Sequence, residues 1–523
     1  MSTRVEAEPY ELSDAVAQRF RDLLGADAVV TSREGRDEYR DPYWDPQDRT
    51  YDSSAVLYPA STEEVQAVVR IANEERVPIW TSSQGRNNGY GGPSPRVKGS
   101  VLVSLRRMNR VLEINSTLAY AVVEPGVTWM DLHAAIAEAG HDDLLVSVAD
   151  LGWGSVIGNS MDSGMTYLPY GMDFQAPTGM EVVLADGSLL RTGMGAIPNS
   201  KAWHTYKRGL GPTLEPLFIQ SNFGIVTKMG YWLMRKPEAY APLFLTVPRD
   251  HQLEQAIDIL RELRLDGVLR GVPVIQNTLT LATHFPDVLG QMQSKGTLGE
   301  AELDELADRT GVGRWGMRAA VWGDEVVVAR HVERIKEAWS AIEGSRVDHE
   351  RTFRRDEWAE LHHFVDKVQG GVPNLDMLDA MPEGFGHVGF SPVVPLEGAQ
   401  IRAALDTMSG IVQRDTDASF LMGMCISSER AAILVGGFGF DTRDEEATRL
   451  AYRTVKTMIR EVGELGYGEY RAHLDFMDEA SAEYSFGDHA YRRFVETIKD
   501  AVDPNGILAP GRHGIWPAGR RNR

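Results

Sequence analysis

Residues 83–92 read Ser-Gln-Gly-Arg-Asn-Asn-Gly-Tyr-Gly-Gly. Glycine occupies four of these ten positions, and the last three glycines surround one large polar side chain, Tyr90. Glycine adopts positive φ angles and lets the backbone approach a ligand closely, so that successive N–H groups can converge on an anion. The alternative for such a segment taken alone is an ordinary surface turn rich in Gly and Asn.

The sequence before this loop predicts a β-α-β unit. Residues 54–57 form a short apolar run, and residues 61–64 (Ser-Thr-Glu-Glu) offer a capping box for a following helix. The apolar face of that helix is marked by Val65, Val68, Val69 and Ala72. A second predicted strand, 77–80, leads directly into the loop, which is the context that a phosphate-binding loop requires.

Two common nucleotide-binding motifs are missing from the chain. No G-x-G-x-x-G opens a helix after this strand, and G-x-x-x-x-G-K-[ST] does not occur in the sequence. A nucleotide cofactor held by residues 83–92 would therefore belong to a different fold.

Further along, the chain continues to predict a mixture of strands and helices. A second glycine-rich segment runs from Asp150 to Gly164, and Asp186-Gly187 predicts a hairpin between 182–184 and 189–191. The other predicted elements of this region are strands at 101–105, 111–114, 120–123 and 224–228 and a helix at 129–139.

The composition changes near residues 236–248. Beyond this point, amphipathic helices are predicted at 251–264, 325–343, 398–414 and 443–465, with a strand at 432–435. From residue 467 the sequence is again rich in Gly and aromatic residues. We therefore expect a separate α+β unit in the middle of the chain.

Composition narrows the class of protein. The chain has 523 residues, 43% of them hydrophobic, and a net charge of −21 without a long basic block, which argues against nucleic acid or an anionic membrane as the main partner. The single cysteine, Cys425, excludes an intrachain disulfide and is expected to be a small buried filler. No signal peptide and no membrane-spanning run are visible, so a soluble, cytoplasmic protein is expected.

The sequence contains no motif that indicates a metal site or the nucleophile of a serine hydrolase. His-Glu-x-x-His and G-x-S-x-G are both missing, and His362 and His363, adjacent on a predicted helix, would point in different directions. No metal site is predicted.

Three other groups of residues could carry chemistry. His387 lies in Phe385-Gly-His-Val-Gly389, where small neighbours leave room for a large partner, although a loop histidine is the alternative. Tyr470-Arg471 and the nearby His473 form a donor cluster that could hold an oxyanion together with Tyr90, or else form a structural salt bridge. Asp150 precedes a glycine-rich turn, where a carboxylate serves either as a general base or as a cap.

Six ordered motifs together resemble the vanillyl-alcohol oxidase/p-cresol methylhydroxylase family of flavoproteins, from about Asp41 to Trp516. The motifs are Gly85-Arg-Asn-Asn-Gly-Tyr-Gly-Gly92, Asp150-Leu-Gly-Trp-Gly-Ser-Val-Ile-Gly-Asn159, Tyr167-Leu-Pro-Tyr-Gly171, Gly386-His-Val-Gly-Phe-Ser-Pro392, Gly466-Tyr-Gly-Glu-Tyr-Arg471, and Asp503-Pro-Asn-Gly506 with Pro510-Gly-Arg-His-Gly-Ile-Trp516. The resemblance implies an α+β fold with two domains. Residues 1–237 and 467–523 would form an FAD-binding domain, and residues 238–466 a cap that covers the flavin ring.

The resemblance also assigns residues to FAD. The 83–92 loop would hold the pyrophosphate, and His387 would be bonded covalently to the flavin, as in the oxidase branch of the family. The implied cofactor-binding residues are Gly85, Arg86, Asn87, Asn88, Gly89, Gly91, Ser155, Gly158, Asn159, Ile225, Val226, His387 and Arg512.

The implied reaction is the oxidation of para-substituted phenols such as 4-alkylphenols, eugenol and vanillyl alcohol. Tyr90, Tyr470 and Arg471 would bind the phenolate, Asp150 would be the acid/base residue, and Tyr167 and Ser391 would line the pocket. A hydride passes to flavin N5 and leaves a p-quinone methide, and dioxygen reoxidises the flavin to give hydrogen peroxide. The family further implies a homodimer or larger oligomer.

Three positions depart from the family pattern. Ala149 replaces a common proline next to the flavin edge, Met172-Asp173 replaces Asp-His, and Arg512 replaces lysine while keeping the charge. Because of Ala149, a dehydrogenase that passes electrons to a cytochrome or another carrier is the alternative to an oxidase. A flavin-binding protein without activity is a third hypothesis, against which the complete set of Tyr90, Asp150, Tyr470 and Arg471 argues.

Overall fold

The computed structural model of the protein describes residues 8–521 except 45–46, 88, 171–174, 294–297 and 380–382. Helices and strands alternate along the chain, which confirms the predicted α+β class. The longer helices are Asp14–Leu24, Thr62–Glu75, Trp129–Glu138, Leu253–Leu265, Glu300–Thr310, Glu325–Trp339, Gly398–Asp415, Glu445–Glu464 and Phe486–Val502.

A four-stranded sheet carries the glycine-rich loop. Its strands are ordered Val29–Val30, Ala55–Leu57, Val101–Ser104 and Ile79–Ser82; the last three are parallel to one another, and the first is antiparallel to Ala55–Leu57. The two central strands, Ala55–Leu57 and Val101–Ser104, are buried on both faces, as parallel strands usually are. The predicted strand 77–80 begins two residues later than expected and runs to Ser82, so it ends directly at the loop.

The helix Thr62–Glu75 begins with half of the predicted capping box. Ser61 Oγ accepts the Glu64 N–H at 3.2 Å, as expected. Glu64 Oε2 accepts the N–H of Ala60 instead of that of Ser61, at 2.6 Å. The carboxylate thus still satisfies a free amide before the helix, one residue earlier than the motif predicts.

A second sheet of five antiparallel strands lies next in the chain. Its order is Val111–Asn115, Tyr120–Val123, Ile225–Trp232, Pro177–Val183 and Leu189–Arg191. The last two strands form the hairpin predicted at Asp186-Gly187, where Gly187 N–H donates to Leu184 O at 2.9 Å.

The middle of the chain forms an eight-stranded antiparallel sheet. Its successive strands are Val347–Asp348, Ala239–Val247, Trp315–Gly323, Val274–Asn277, Leu421–Cys425, Ala431–Gly437 and Val393–Pro395, and Phe353–Arg354 also pairs with Ala239–Val247. Four long helices cover one face of it. On Leu421–Cys425, Met422 and Met424 belong to this helix-covered core, whereas Cys425 packs into the core of the preceding five-stranded unit. The alternation of side chains along a strand explains this division, and it turns the uncovered face of the sheet toward the first part of the chain.

The C-terminal segment returns to the first sheet. Ile79 N–H donates to Ile507 O, and Ala509 N–H donates to Ile79 O, each at 2.8 Å. Asn222 Nδ2 reaches Ala509 O and Ile515 O at 3.0 Å. The two ends of the chain therefore share a core, while the boundaries at 237 and 466 stay predictions.

Candidate active site

The glycine-rich loop is held in place by glycines that no other residue could replace without strain. Gly89 and Gly91 have φ angles of +79° and +94°. A Cβ atom on Gly89 would lie 2.6 Å from His387 Nε2, and one on Gly91 would lie 2.3 Å from Leu474 Cβ. The loop thus needs glycine both for its backbone conformation and for close packing against distant segments.

A deep cleft begins at this loop. It runs between the parallel sheet, the second glycine-rich segment and the C-terminal segment. Nine of the predicted cofactor residues line it: Gly85, Arg86, Asn87, Ser155, Gly158, Asn159, Ile225, Val226 and Arg512. Gly89, Gly91 and His387 lie outside its lining, so their assignment to the cofactor stays a prediction.

The two glycine-rich segments form one wall of the cleft. Ser155 Oγ accepts the Gly158 N–H at 2.8 Å and begins the short helix Val156–Ser160. A Cβ on Gly158 would lie 2.0 Å from Ser83 Oγ, so a larger residue would force the Ser83 side chain to move. Arg86 connects the segments further by donating to Trp153 O at 3.1 Å.

His387 lies at the far side of the loop. It ends the strand Phe385–His387, and its ring packs 5.2 Å from the ring of Tyr43 and against Gly89. Nδ1 is buried and has no hydrogen-bond partner among the described residues. Burial lowers the pKa of the imidazole, which leaves a neutral ring with an available nitrogen at neutral pH.

Tyr90, Tyr470 and Arg471 come together as the sequence predicts. The Arg471 guanidinium lies 4.4 Å from the centre of the Tyr90 ring, and Tyr470 is close enough to influence the ionisation of Tyr90. Ser391 Oγ is 3.4 Å from the Tyr90 hydroxyl. Burial raises the pKa of both phenols, so they remain protonated donors beside a permanent cation.

Asp162, which the sequence did not single out, anchors this cation. Its carboxylate accepts Arg471 Nε at 2.9 Å and Arg512 NH2 at 3.2 Å, and His513 Nε2 lies 3.1 Å away. Arg471 also donates to Asn87 Oδ1 at 3.1 Å. Nearby positive charge, foremost Arg471, holds the pKa of Asp162 well below its usual range against the effect of burial. Arg471 is thereby connected to the loop and to the C-terminal segment.

A carboxyl group and a phenol form a second cluster. Tyr167 donates to Asp150 Oδ2 at 2.8 Å. Burial raises the pKa of Asp150, and the Tyr167 hydrogen bond opposes this shift. Cys425, 8% exposed, lies in the same core as Tyr167, and burial raises the pKa of its thiol to about 12. The cysteine is buried as predicted.

One histidine prediction is wrong. His473 does not join the donor cluster, because its Nε2 is 2.8 Å from the buried Asp41, which also accepts the Tyr452 hydroxyl. His363 lies immediately before the helix Phe364–Gln369 and caps it, since its Nδ1 accepts the Val365 N–H. In both cases a polar partner determines the direction of the ring.

Asn88 and the Met172-Asp173 pair lie outside the described residues. Ala149 packs at the edge of the core that contains Cys425. Among the described residues, no helix is long and apolar enough to cross a membrane.

Comparison with known proteins gives consistent results for both ends of the chain. Residues 53–193 match a family described as FAD binding domain, and residues 435–513 match the C-terminal domain of FAD linked oxidases. The 4-cresol dehydrogenase [hydroxylating] flavoprotein subunit of Pseudomonas putida is 33% identical over 513 residues, 97% of this chain and 96% of that protein.

Two solved structures share the fold over nearly the whole chain. A 4-ethylphenol oxidase from Gulosibacter chungangensis, in complex with isoeugenol, has a TM-score of 0.90 and 35% identity, covering 98% of this chain and 100% of that one. A p-cresol methylhydroxylase with substrate bound has a TM-score of 0.90 and 30% identity, covering 98% and 99%. These similarities confirm the predicted two-domain fold.

The cleft suits FAD by its own chemistry. Three arginines line it (Arg86, Arg471 and Arg512), as an anionic diphosphate requires. Asn159 Nδ2 and Ser221 Oγ are buried without a hydrogen-bond partner among the described residues, which leaves them available to a ligand. Apolar side chains such as Ile225 and Leu508 provide surface for flat rings.

Proposed function

The chain belongs to the vanillyl-alcohol oxidase/p-cresol methylhydroxylase family of flavoproteins, and we propose on this basis that it oxidises para-substituted phenols with FAD. The substrates proposed are 4-alkylphenols, 4-allylphenols such as eugenol, and 4-hydroxybenzyl alcohols such as vanillyl alcohol. The observation that carries the proposal is the cluster of Tyr90, Tyr470 and Arg471 at the edge of the FAD cleft, where Arg471 itself lines the cleft.

Arg471 and the two tyrosines favour the phenolate form of the substrate. A fixed positive charge and hydroxyl donors stabilise an anionic oxygen and lower the pKa of a bound phenol. The phenolate pushes electron density into the ring, so that a hydride leaves more readily from the side-chain carbon at the para position. Asp162 and Asn87 keep the guanidinium fixed, which reduces the entropy lost on binding.

FAD, when bound, supplies the two-electron acceptor for this hydride. The substrate is left as a p-quinone methide. Asp150 then accepts a proton from the water that adds to it, giving a benzylic alcohol; a benzylic alcohol substrate instead loses its own proton and gives the aldehyde. The raised pKa of Asp150 suits a carboxyl group that both accepts and returns a proton.

We further propose that His387 forms a covalent bond to the flavin. Its neutral ring and available Nδ1 support this assignment. His387→Ala should leave FAD bound without a covalent link, so a denaturing gel should lose its fluorescent flavin band. Tyr167→Phe, which changes another residue of the candidate site but keeps His387, should retain the band. Fluorescence that survives in His387→Ala would place the link on another residue.

We propose dioxygen as the electron acceptor, with hydrogen peroxide as the second product. Histidine at position 387 supports the oxidase branch, whereas Ala149 and the 4-cresol dehydrogenase relative support a dehydrogenase. With 4-ethylphenol or vanillyl alcohol and no added acceptor, the purified protein should release peroxide in proportion to substrate consumed. Fast dye reduction under anaerobic conditions with little oxygen consumption in air would instead support the dehydrogenase.

The remaining proposals concern organisation. Residues 1–237 and 467–523 are assigned to the FAD-binding domain and residues 238–466 to the cap. A homodimer or larger homo-oligomer and a cytoplasmic location are proposed as well.

A further inference from the structure

Glu469 is a buried carboxyl group beside Tyr90, Tyr470 and Arg471, the proposed phenol-binding cluster. It is 9% exposed and immediately precedes Tyr470 and Arg471. Both of its carboxyl oxygens accept the Ser391 N–H at 3.0 Å, and Oε1 lies 3.4 Å from the Arg471 N–H. Its contacts in the described part of the chain include no ion pair with Lys, Arg or His within 4.0 Å, which is unusual for a buried carboxyl group.

The segment that Glu469 holds connects the cap sheet to the glycine loop. Tyr470 N–H donates to Ser391 O at 3.1 Å, and Val393 N–H donates to Gly468 O at 2.9 Å. On the other side, Gly389 N–H donates to Gly89 O at 2.8 Å. Ser391 is therefore fixed between the loop that carries Tyr90 and the segment that carries Tyr470 and Arg471.

We propose that Glu469 is a positioning residue for phenol oxidation, which fixes the Ser391 backbone so that Ser391, Tyr470 and Arg471 face Tyr90. This role rests on the proposed function. Glu469 touches no reacting atom, and it acts through the Ser391 amide and through the charge it places near the bound phenolate.

The charge on Glu469 makes the role dependent on pH. Burial raises the pKa of Glu469 to about 8, so the group is neutral at neutral pH. The titratable or charged groups around it are Tyr90, Tyr470, Arg471 and Tyr484, whose hydroxyl donates to Glu469 O at 3.3 Å. A neutral Glu469 carboxyl adds no negative charge beside the phenolate, whereas an ionised carboxylate would repel it. Phenolate affinity should therefore fall as the pH rises through about 8.

Glu469→Gln separates the two contributions, because glutamine keeps an acceptor for the Ser391 N–H but cannot ionise. The probe is 4-nitrophenol, which has no side-chain carbon to oxidise and is a phenolate in the upper part of the range from about pH 7 to about pH 10. Its affinity as the phenolate is measured by difference absorbance and corrected at each pH for the ionised fraction of the probe. This affinity should fall about tenfold over the range for the wild-type holoenzyme, whereas that of Glu469→Gln should stay constant. Glu469→Ala, which also cannot ionise but loses the acceptor, should bind the probe more weakly than Glu469→Gln at every pH.

Glu483→Gln is the matched control. Burial also raises the pKa of Glu483, but this residue ends the helix Met477–Glu483 outside the phenol-binding cluster. The affinity of Glu483→Gln for 4-nitrophenol should depend on pH as that of the wild type does. A constant affinity in the wild type, an equal fall in Glu469→Gln, or an affinity in Glu469→Ala equal to that of Glu469→Gln would overturn the proposal.

Thermal unfolding gives a second test that needs no phenol. Because the pKa of Glu469 is higher in the folded than in the unfolded protein, its stabilising contribution is complete below the ordinary glutamate pKa of 4.5 and is lost as the pH rises through about 8. The Tm of Glu469→Gln minus that of the wild type should grow across this range. A Tm difference that stays constant across this pH range would contradict a raised pKa for Glu469. If the wild type binds no phenol but the Tm difference grows, the proposed function fails while the ionisation of Glu469 stands.

Discussion

Replacing Arg471 by alanine should lower kcat/KM for 4-ethylphenol by about 10- to 150-fold, equivalent to about 1.5–3 kcal/mol, the range for a charge-assisted hydrogen bond. The guanidinium is the permanent cation that lies over Tyr90, and without it the phenol would have to lose its proton with only neutral donors nearby. Steady-state kinetics at constant pH measure the effect.

Arg471→Lys is the control for charge alone. Lysine keeps one positive charge, but it cannot donate to Asp162 and Asn87 in the planar geometry of arginine. Its kcat/KM should lie between those of the wild type and Arg471→Ala. An unchanged kcat/KM in the alanine variant would show that Arg471 supports the structure and does not bind the substrate oxygen.

The second large effect is expected at Asp150. Asp150→Asn keeps the size of the side chain but removes its basic oxygen, and kcat for vanillyl alcohol should fall by about 10²- to 10⁴-fold, the usual contribution of a general base. Stopped-flow absorbance separates the chemical step from substrate binding, and substrate binding should change little.

The dependence of the reaction rate on pH tests whether Asp150 is the general base. Since burial raises the pKa of Asp150, the wild-type rate should decline on the acid side at a higher pH than an exposed aspartate would cause. Tyr167→Phe removes the hydrogen bond that opposes this shift, and should move the decline to still higher pH. A wild-type decline that persists unchanged in Asp150→Asn would exclude Asp150 as the base.

Features determined by neighbouring residues were predictable from the sequence. The Ser61 cap, the Asp186-Gly187 hairpin and the strand leading into residues 83–92 depend on contacts within a few positions. The proximity of Tyr90 and Arg471 was also predictable, but only because several separate motifs resembled one family, and the roles of these residues stay predictions. Each motif taken alone fitted an ordinary turn, loop or salt bridge at least as well.

Features that depend on distant contacts were not predictable. Asp162 and Arg471 are 309 positions apart, and the sequence around Asp162 contains nothing that indicates a charged partner. Glu469 contacts an amide 78 positions away. The sequence predicted that Cys425 is buried but not which core it joins. In the structure, side chains alternate along its strand, so Cys425 faces one core while Met422 and Met424 face the other.

The central claim is that one chain binds FAD in the cleft and a phenol beside it, at Tyr90, Tyr470 and Arg471. The most direct measurement mixes the purified yellow protein with 4-ethylphenol in the absence of oxygen and follows the flavin absorbance. We predict rapid bleaching, and no bleaching with ethylbenzene, which lacks the hydroxyl group. A flavin that stays oxidised with 4-ethylphenol, vanillyl alcohol and eugenol, or one that ethylbenzene bleaches equally fast, would contradict the account.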